Sequence, residues 1–569
     1  MNEWWREATV YQIYPRSFAD TNGDGIGDLR GIISKLDYIK KLGVDVIWLC
    51  PIYESPDADN GYDISDYRSI DRKFGTMADF DLLLKETHNR GMKLIMDAVF
   101  NHTSDEHKWF IESRKSKNSK YRNYYFWRDA KDGKEPNNWL SFFGGSAWEY
   151  DKKTKQYYLH IFSRKQPDLN WDSKDVREEI YSTMRWWLDK GIDGFRFDVI
   201  NFISKVPGLP DAKPAAGQRY ADGYKYYKNG PRINQYLKEM NRKVLSRYDI
   251  MTVGETAASL EDIAATRLYV DSCRHELNMV FHENNEIRSE KKPPKASNTL
   301  DKRHNAFKWS LPDLKRTITA WQNGLAKTCW DSVYLGNHDY PRIVSRFGDD
   351  GKYRVESAKM LATMIFTLRG TPYIYQGDEI GMTNADFKSI KDYADIGAIS
   401  MYDEYVKLHK DGGKHALKVL REISRDNART PMQWDSTTNS GFGKGRPWLK
   451  VNSNYKTINV QSALKDRNSI FYFYRKLIAL RRSSKVMIYG KYDIVLKEHP
   501  DIYAYTRTFE GKKLLVLLNF ANKNSRFNMP SGSEYKNAKR MFGNYLESKN
   551  KETLRPYEAV VYSISPKRS

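Results

Sequence analysis

A helical pattern followed by a short apolar run recurs along this chain more clearly than any other sequence feature. In the first copy Ile32, Leu36 and Ile39 share one helical face, Gly43 can end the helix, and an apolar run follows at 46–50. Similar helical segments precede apolar runs at 94–97, 192–198 and 250–255. Such repeats predict an α/β fold with a parallel sheet covered by helices, and eight of them would close a (β/α)8 TIM barrel.

Two parts of the chain depart from this repeat. Residues 101–171 are too many for an ordinary loop and are rich in Trp, Tyr and Asn, so we expect a small domain inserted after the third strand. Beyond a helical pattern at 470–482, apolar runs at 494–496, 502–509, 514–520 and 559–564 predict an antiparallel β-sandwich domain. The expected division is a barrel formed by 1–100 and 172–480, an inserted subdomain at 101–171 and a C-terminal domain at 481–569.

Composition limits where such a protein works. No apolar run is long enough to cross a membrane, and the first residues lack the basic and apolar regions of an export signal, so we expect a cytoplasmic protein. The expected oligomeric state is a monomer. The three cysteines are far apart and fit neither a disulfide framework nor a zinc pattern. The net charge is +22, but the basic residues are spread along the chain and interleaved with acidic ones. This pattern favours a solvated surface over a nucleic-acid or membrane site.

Acidic side chains follow several of the predicted strands. Asp97, Asp198 and Glu255 each close an apolar run, and Asp339 follows another. A single carboxylate in such a place is more often a helix cap or a turn residue. Because the active sites of (β/α)8 barrels lie at the carboxyl ends of their strands, four carboxylates on one rim indicate a catalytic cluster instead.

The segments around these carboxylates resemble the signature regions of the α-amylase superfamily. They are DAVFNH (97–102), QPDLNW (166–171), GFRFDVINF (194–202), GE (254–255) and GNHD (336–339). Further segments are similar to oligo-1,6-glucosidases and related α-glucosidases, namely YQIYPRSF (11–18), YQGDEIGMTN (375–384) and RDNARTPMQW (425–434). The resemblance implies a retaining enzyme that hydrolyses terminal α-1,6-linked glucose from isomaltose and short isomalto-oligosaccharides.

Carried over by position, the resemblance implies a role for each of the acidic residues. Asp198 would be the nucleophile, Glu255 the general acid and base, and Asp339 the carboxylate that grips sugar hydroxyls. A retaining pair needs carboxyl groups roughly 5–5.5 Å apart, one ionised and one protonated. Arg196 precedes Asp198 by two residues, so it lies on the same face of the strand and can keep that carboxylate ionised.

The same resemblance implies a closed pocket for one glucose. Asp59 and Tyr62 would close its nonreducing end, with Arg425 as the partner of Asp59. Val199 resembles the residue that marks α-1,6 preference in this subfamily, where Thr or Ala marks α-1,4 enzymes. The other residues that the resemblance places around the sugar are His102, Phe162, Gln166 and His338.

A loop rich in oxygen donors follows the first predicted strand. Residues 20–28 read DTNGDGIGD and space their donors like the start of a calcium loop, although the closing Glu of an EF-hand is absent. A glycine-rich turn without metal is the alternative. The resemblance implies a structural, noncatalytic Ca²⁺ or Mg²⁺ bound by Asp20, Asn22, Asp24, Asp28 and the Ile26 carbonyl.

Two departures from the family pattern leave the preference for the leaving group open. They are His282-Glu283-Asn284-Asn285 after Phe281, and Tyr340 after Asp339. Sucrose isomerases share nearly all the motifs, but they typically carry an Arg-x-Asp-Arg loop, which 286–292 does not match, and a Thr after the nucleophile. The remaining alternatives are an α-1,4-preferring α-glucosidase, a noncatalytic amylase-like binding protein and, from charge alone, a nucleic-acid binder.

Overall fold

The computed structural model describes residues 3–215, 217–282, 298–528, 538–547 and 552–564. The chain divides into two compact units. The first unit comprises Trp48–His88 and Lys93–Glu283, and the second comprises Asn2–Ile47, Asn89–Met92 and Asn284–Ser569. The domain boundaries expected from the sequence stay a prediction.

Four parallel strands of the first unit carry three of the acidic residues to one edge. Side by side they are Lys93–Ala98, Gly194–Phe197, Met251–Glu255 and Met279–Phe281. Asp97 lies beside Arg196 in the register, and Glu255 lies beside Phe281. Nearly every residue in these strands is buried, as expected for a sheet covered on both faces.

The second unit contributes three further parallel strands. Val10–Ile13 pairs with Thr371–Tyr375, which also pairs with Ser332–Val333. The strand Val46–Leu49 contains a boundary between the two units. The four apolar runs of the predicted repeat, at 46–50, 94–97, 192–198 and 250–255, all overlap strands of the structure.

The first α-helix begins and ends at capping residues. Leu29–Leu42 begins after Asp28, whose Oδ1 accepts a hydrogen bond from the Gly31 amide at 2.7 Å, and it ends at Gly43 with φ at 103°. This copy of the predicted helix, glycine and strand is confirmed. The other α-helices of the described residues are Met77–Asn89, Lys108–Ser113, Lys174–Asp189, Tyr224–Tyr227, Ile233–Lys243, Ile263–Val270, Thr299–Phe307, Leu311–Gly324, Ile343–Phe347, Arg354–Thr367, Ile396–Leu408, Lys414–Ile423, Asp426–Arg429, Val460–Lys465, Ile470–Arg482 and Lys485–Tyr489. None of these described helices is both long and apolar enough to cross a membrane.

The segment after the strand Lys93–Ala98 holds a small antiparallel sheet. Its three strands are Trp127–Arg128, Gln156–Leu159 and Trp148–Asp151. A buried cluster joins Trp139 and Trp148 of this segment to Phe202, which follows the strand Gly194–Phe197. A two-stranded pair, Tyr53–Glu54 with Asp66–Ile70, lies in the same unit. The segment therefore packs against the chain that leaves Asp198.

The end of the chain is an antiparallel sheet of five strands. In sheet order they are Lys491–Val495, Ile502–Phe509, Lys512–Asn519, Ala559–Ile564 and Lys539–Gly543. Ser525–Arg526 pairs with Thr553–Leu554, and neighbouring apolar side chains share a buried core with the larger sheet. The strand Lys539–Gly543 contains no buried residue, so no apolar run marks it in the sequence.

Candidate active site

One arginine contacts both carboxylates that the sequence suggests as nucleophile and acid. Arg196 Nη1 lies 2.8 Å from Asp198 Oδ1, and Arg196 Nη2 lies 2.7 Å from Glu255 Oε2. Two nitrogens of one planar guanidinium make these contacts, so the two carboxyl groups are neighbours. The side chain of Asp198 is 9% exposed and that of Glu255 is 26% exposed. The pair is thus enclosed but open to solvent on the side of Glu255.

A third carboxylate, that of Asp97, shares the same guanidinium. Arg196 Nη1 lies 2.6 Å from Asp97 Oδ1, while Trp48 Nε1 donates to Asp97 Oδ2 at 3.1 Å. Burial raises the pKa of Asp97 to about 6, although Arg196 works in the opposite direction. Burial alone would lower the pKa of Arg196, but the surrounding carboxylates raise that pKa well above its ordinary value. Arg196 is therefore a permanent cation at the centre of an acidic cluster.

Val199, directly after Asp198, has a strained backbone. Its φ of 34° and ψ of 43° lie in the left-handed region, which β-branched residues rarely adopt. In this conformation the Val199 amide donates to Glu255 Oε2 at 3.2 Å. The backbone of Val199 therefore helps to hold the carboxylate of Glu255.

Gln166 joins the residues expected to bind glucose in the first unit. Its Nε2 donates to Asp59 Oδ2 at 3.2 Å and lies 3.4 Å from the Tyr62 carbonyl oxygen. The same nitrogen is 3.2 Å from His102 Nε2. The phenol of Tyr62 in turn donates to Asp97 Oδ2 at 3.3 Å. Four predicted residues, from separate parts of the sequence, therefore form one polar cluster beside the acidic group.

His102 is held as a neutral imidazole. The Asn101 side chain donates from Nδ2 to His102 Nδ1 at 3.2 Å, so the ring proton belongs on Nε2, which donates to the Tyr62 carbonyl at 3.1 Å. Burial lowers the pKa of His102 to about 4. The ring of Phe162 lies 5.2 Å from the imidazole.

The second unit holds a separate group around Asp339. His338 Nε2 lies 3.1 Å from Asp339 Oδ2, while Arg425 Nη1 and Arg429 Nη2 lie 3.1 and 2.8 Å from Asp339 Oδ1. The buried ring of His338 also stacks on Tyr14 with centroids 5.7 Å apart. Two cations therefore flank the carboxylate of Asp339, whose side chain is 26% exposed.

Arg425 also binds an acidic residue that the sequence did not suggest. Its Nε and Nη2 donate to Asp395 Oδ1 at 2.9 and 2.5 Å. Burial would raise the pKa of Asp395, but Arg425 and Arg429 outweigh it and lower that pKa to about 2. The expected pairing of Arg425 with Asp59 stays a prediction.

A buried ion pair near His102 also escapes sequence reasoning. Lys205 Nζ lies 3.2 Å from Asp168 Oδ1 and donates to Asn101 Oδ1 at 3.2 Å. Asp168 lies within the QPDLNW segment, but no spacing connects it to a lysine far along the chain. The pair fixes the amide of Asn101, and through it the imidazole of His102.

The oxygen-rich loop at 20–28 satisfies its own carboxylates. Asp20 accepts hydrogen bonds from the Gly23 and Gly25 amides, Asp24 accepts one from the Ile26 amide, and Asp28 caps a helix. Among the described residues, no three His, Cys, Asp or Glu side chains converge to hold a metal. A structural Ca²⁺ or Mg²⁺ at this loop stays a prediction, and no reaction step involves it.

The departures from the family pattern are only partly described. Tyr340 is buried, with its ring 6.3 Å from Phe307 and the Arg346 guanidinium 5.5 Å from its centre. His282 is half-buried. Residues 283–285, and the loop at 286–292 that bears on sucrose isomerases, lie outside the described residues.

Comparison with known proteins identifies the family of this chain. A family model described as "Alpha amylase, catalytic domain" matches residues 12–490, and one described as "Alpha-amylase SusG C-terminal domain" matches residues 502–561. The chain is 57% identical over 566 residues to an oligo-1,6-glucosidase of Parageobacillus thermoglucosidasius, with 99% of each chain covered.

The chain is also similar to solved structures over nearly its whole length. The chain is 46% identical to a trehalose-6-phosphate hydrolase of Bacillus licheniformis, with a TM-score of 0.91. It is 44% identical to an isomaltulose synthase of Protaminobacter rubrum, with a TM-score of 0.92. Both comparisons cover 99% of this chain and 100% of the other. The predicted fold, a (β/α)8 barrel followed by an antiparallel β domain, is confirmed, and the chain belongs to the alpha-amylase family.

Proposed function

We propose that this protein is a retaining, exo-acting α-glucosidase that removes terminal α-1,6-linked glucose from isomaltose and short isomalto-oligosaccharides. The proposal depends most on the contact of Arg196 with both Asp198 and Glu255. A shared guanidinium is compatible with the separation of roughly 5–5.5 Å that a retaining pair needs. The full-length similarity to a protein named oligo-1,6-glucosidase supports the substrate.

In the first step, the Asp198 carboxylate attacks the anomeric carbon of the terminal glucose. Glu255 donates its proton to the glycosidic oxygen, so the leaving sugar departs as an alcohol and an ester joins glucose to Asp198. The positive charge of Arg196, 2.8 Å from Asp198, favours the ionised form of the nucleophile.

In the second step, Glu255 acts as a base. It takes a proton from water while the water oxygen attacks the anomeric carbon and displaces Asp198. Two displacements at the same carbon return the original configuration, and both carboxyl groups regain their starting protonation states. The partial exposure of Glu255, 26% of its side chain, supports access of that water.

The remaining predicted residues bind the sugar in this proposal. Asp339 grips ring hydroxyls, assisted by His338, and His102 and Gln166 also bind the glucose. Tyr62 and Phe162 supply apolar surface, and Asp59 with Arg425 closes the nonreducing end. Val199 favours the α-1,6 linkage, although a difference of one methyl group changes discrimination between substrates by only about 1–3 kcal/mol.

Product profiles test the proposal against its enzyme rivals. Isomaltose, maltose, trehalose, trehalose 6-phosphate and sucrose are incubated separately with the purified protein. We expect free glucose fastest from isomaltose. Isomaltulose or trehalulose as the main product from sucrose would identify a sucrose isomerase, and faster hydrolysis of maltose would identify an α-1,4 enzyme. A protein that turns over none of the five would be the noncatalytic alternative.

We propose that the loop at 20–28 binds a structural Ca²⁺ or Mg²⁺ through Asp20, Asn22, Asp24, Asp28 and the Ile26 carbonyl. A ligand at 100 times its dissociation constant stabilises a fold by about 2.7 kcal/mol. We therefore expect Ca²⁺ to raise the Tm of EDTA-treated protein, and to do so less in Asp24→Ala. An unchanged Tm would show that the self-bonded loop is complete without metal.

A monomer in the cytoplasm is proposed as the working form. The cysteines support a reducing compartment, because Cys50, Cys273 and Cys329 form no disulfide bond in the structure and two of them are buried. Cell fractionation and light scattering of the purified protein test the two parts of this proposal separately.

A further inference from the structure

Phe142 is an exposed aromatic side chain in the segment that follows the strand Lys93–Ala98. It is 49% exposed, yet its ring stacks on two others. The ring of Phe142 lies 4.9 Å from that of Phe162 at 17°, and 5.9 Å from that of Phe202 at 29°. Phe162 and Phe202 also stack, 6.2 Å apart at 24°. We call these three nearly parallel rings the phenylalanine platform.

The platform begins at the candidate site. Phe162 contacts His102, and Phe202 ends the 3-10 turn Ile200–Phe202 that follows Val199. Phe202 is fully buried, whereas Phe142 is half-exposed. All of these residues belong to the first unit. The three rings therefore give a continuous aromatic wall from the glucose-binding residues to solvent.

The exposed end of the platform is held in place. The Phe142 amide donates to the Ile161 carbonyl at 2.9 Å, and Ser141 Oγ donates to the Phe162 carbonyl at 2.7 Å. The Ser141 amide donates to the Gly145 carbonyl at 3.0 Å, which closes the turn. A large apolar ring that is both exposed and fixed is preorganised to bind a ligand.

We propose that Phe142 is a specificity-determining residue that stacks against the leaving-group glucose of an α-1,6-linked substrate. This inference depends on the proposed function, because it extends the same site by one sugar. The C–H face of a glucose ring is flat and apolar, so it packs against an aromatic face. The α-1,6 linkage adds a rotatable methylene bond, which lets the second ring turn onto a side wall.

Two substrates separate this role from a structural one. Isomaltose has a sugar as its leaving group, whereas α-glucosyl fluoride has no ring there. We expect Phe142→Ala to raise KM for isomaltose about tenfold with kcat nearly unchanged, because stacking contributes equally to ground and transition states. The kinetics on α-glucosyl fluoride should not change. Phe142→Trp should restore the KM for isomaltose.

Ile111→Ala is the matched control, since Ile111 is 45% exposed in the same unit but contributes no ring to the platform. This variant should leave KM and kcat unchanged for both substrates. An unchanged KM for isomaltose in Phe142→Ala, or an equal loss on both substrates, would overturn the inference while leaving the proposed function intact. A wild-type protein that cannot hydrolyse isomaltose would overturn the proposed function and this inference with it.

Discussion

Arg196 is the residue on which three acidic side chains depend. Its guanidinium contacts Asp97, Asp198 and Glu255 within 2.8 Å, using two of its nitrogens. A lysine in its place would offer one point charge rather than a planar fork. Arg196 therefore influences the protonation states of both reacting carboxylates together.

Removing either reacting carboxylate should nearly abolish turnover. We expect Asp198→Asn or Glu255→Gln to lower kcat for isomaltose by at least ~10³-fold, because each removes a group that forms or breaks a bond. Glu261→Gln changes an exposed residue in the same unit and serves as the control. Circular dichroism should be unchanged in all three variants. Near-normal rates in Asp198→Asn or Glu255→Gln would refute the assignment.

The protonation of His102 gives a prediction for pH. Its pKa is lowered from 6.5 to about 4 by burial, so between these pH values the unfolded chain binds more protons than the folded one. The stability that neutral His102 provides is present above pH 6.5 and is lost as pH falls through the folded pKa. We expect NMR of histidine-labelled protein, assigned with His102→Gln, to show a neutral imidazole at pH 5. A signal that titrates near 6.5 would contradict this.

At the scale of secondary structure, the sequence predicts those helices and strands that have a regular spacing of apolar residues and typical residues at their ends. The helix at 470–482 is predicted to the residue, because apolar spacing and its flanks agree. The strand Lys539–Gly543 is missed because it buries nothing, and the contacts of Lys205 and Asp395 are missed because they are tertiary. The contact of Arg196 with Asp198 was predictable, since alternate strand residues share a face.

The helix Ile470–Arg482 ends in an arginine with a structural role. Buried Arg481 donates to the carbonyls of Phe366, Leu368 and Met487 at 2.8, 3.0 and 3.0 Å, and also to that of Gly370. Burial lowers the pKa of this guanidinium to about 9. The side chain thus ties the end of its own helix to the last turn of Arg354–Thr367, to the loop after that helix and to Lys485–Tyr489.

Two neighbouring arginines provide a matched test of this role. We expect Arg481→Met to lower the free energy of unfolding by at least about 3 kcal/mol, because several buried carbonyls lose their donor. Arg482→Met should change it by less than about 1 kcal/mol, since that side chain is 54% exposed and pairs with Asp45 at the surface. Urea unfolding followed by fluorescence measures both, and equal effects would contradict the assignment.

For the whole molecule, the net charge of +22 raises the question of polyanion binding. Many basic side chains are paired with acids, such as Lys228 with Asp262 at 2.7 Å and Arg177 with Glu239 at 3.0 Å. Such pairs place negative charge beside positive charge over the surface, although the net charge of +22 already subtracts the acidic side chains.

Salt should have little effect on the activity of this protein. We expect kcat/KM for isomaltose to change by less than about twofold between roughly 0.05 and 0.5 M NaCl, because the substrate is neutral and cannot be steered electrostatically. Weak retention on heparin at moderate salt is expected as well. Tight binding to heparin with a steep dependence on salt would instead support the nucleic-acid alternative.

The interleaving of the two units has a consequence for dissecting the gene. The second unit is assembled from three separated stretches, and the strand Val10–Ile13 from the first stretch pairs with Thr371–Tyr375 from the last. A fragment beginning at residue 284 would lose that partner and expose a strand edge prone to aggregation. The second unit therefore cannot be produced as one continuous fragment, and making it alone would require its separated stretches to be co-produced as complementary chains.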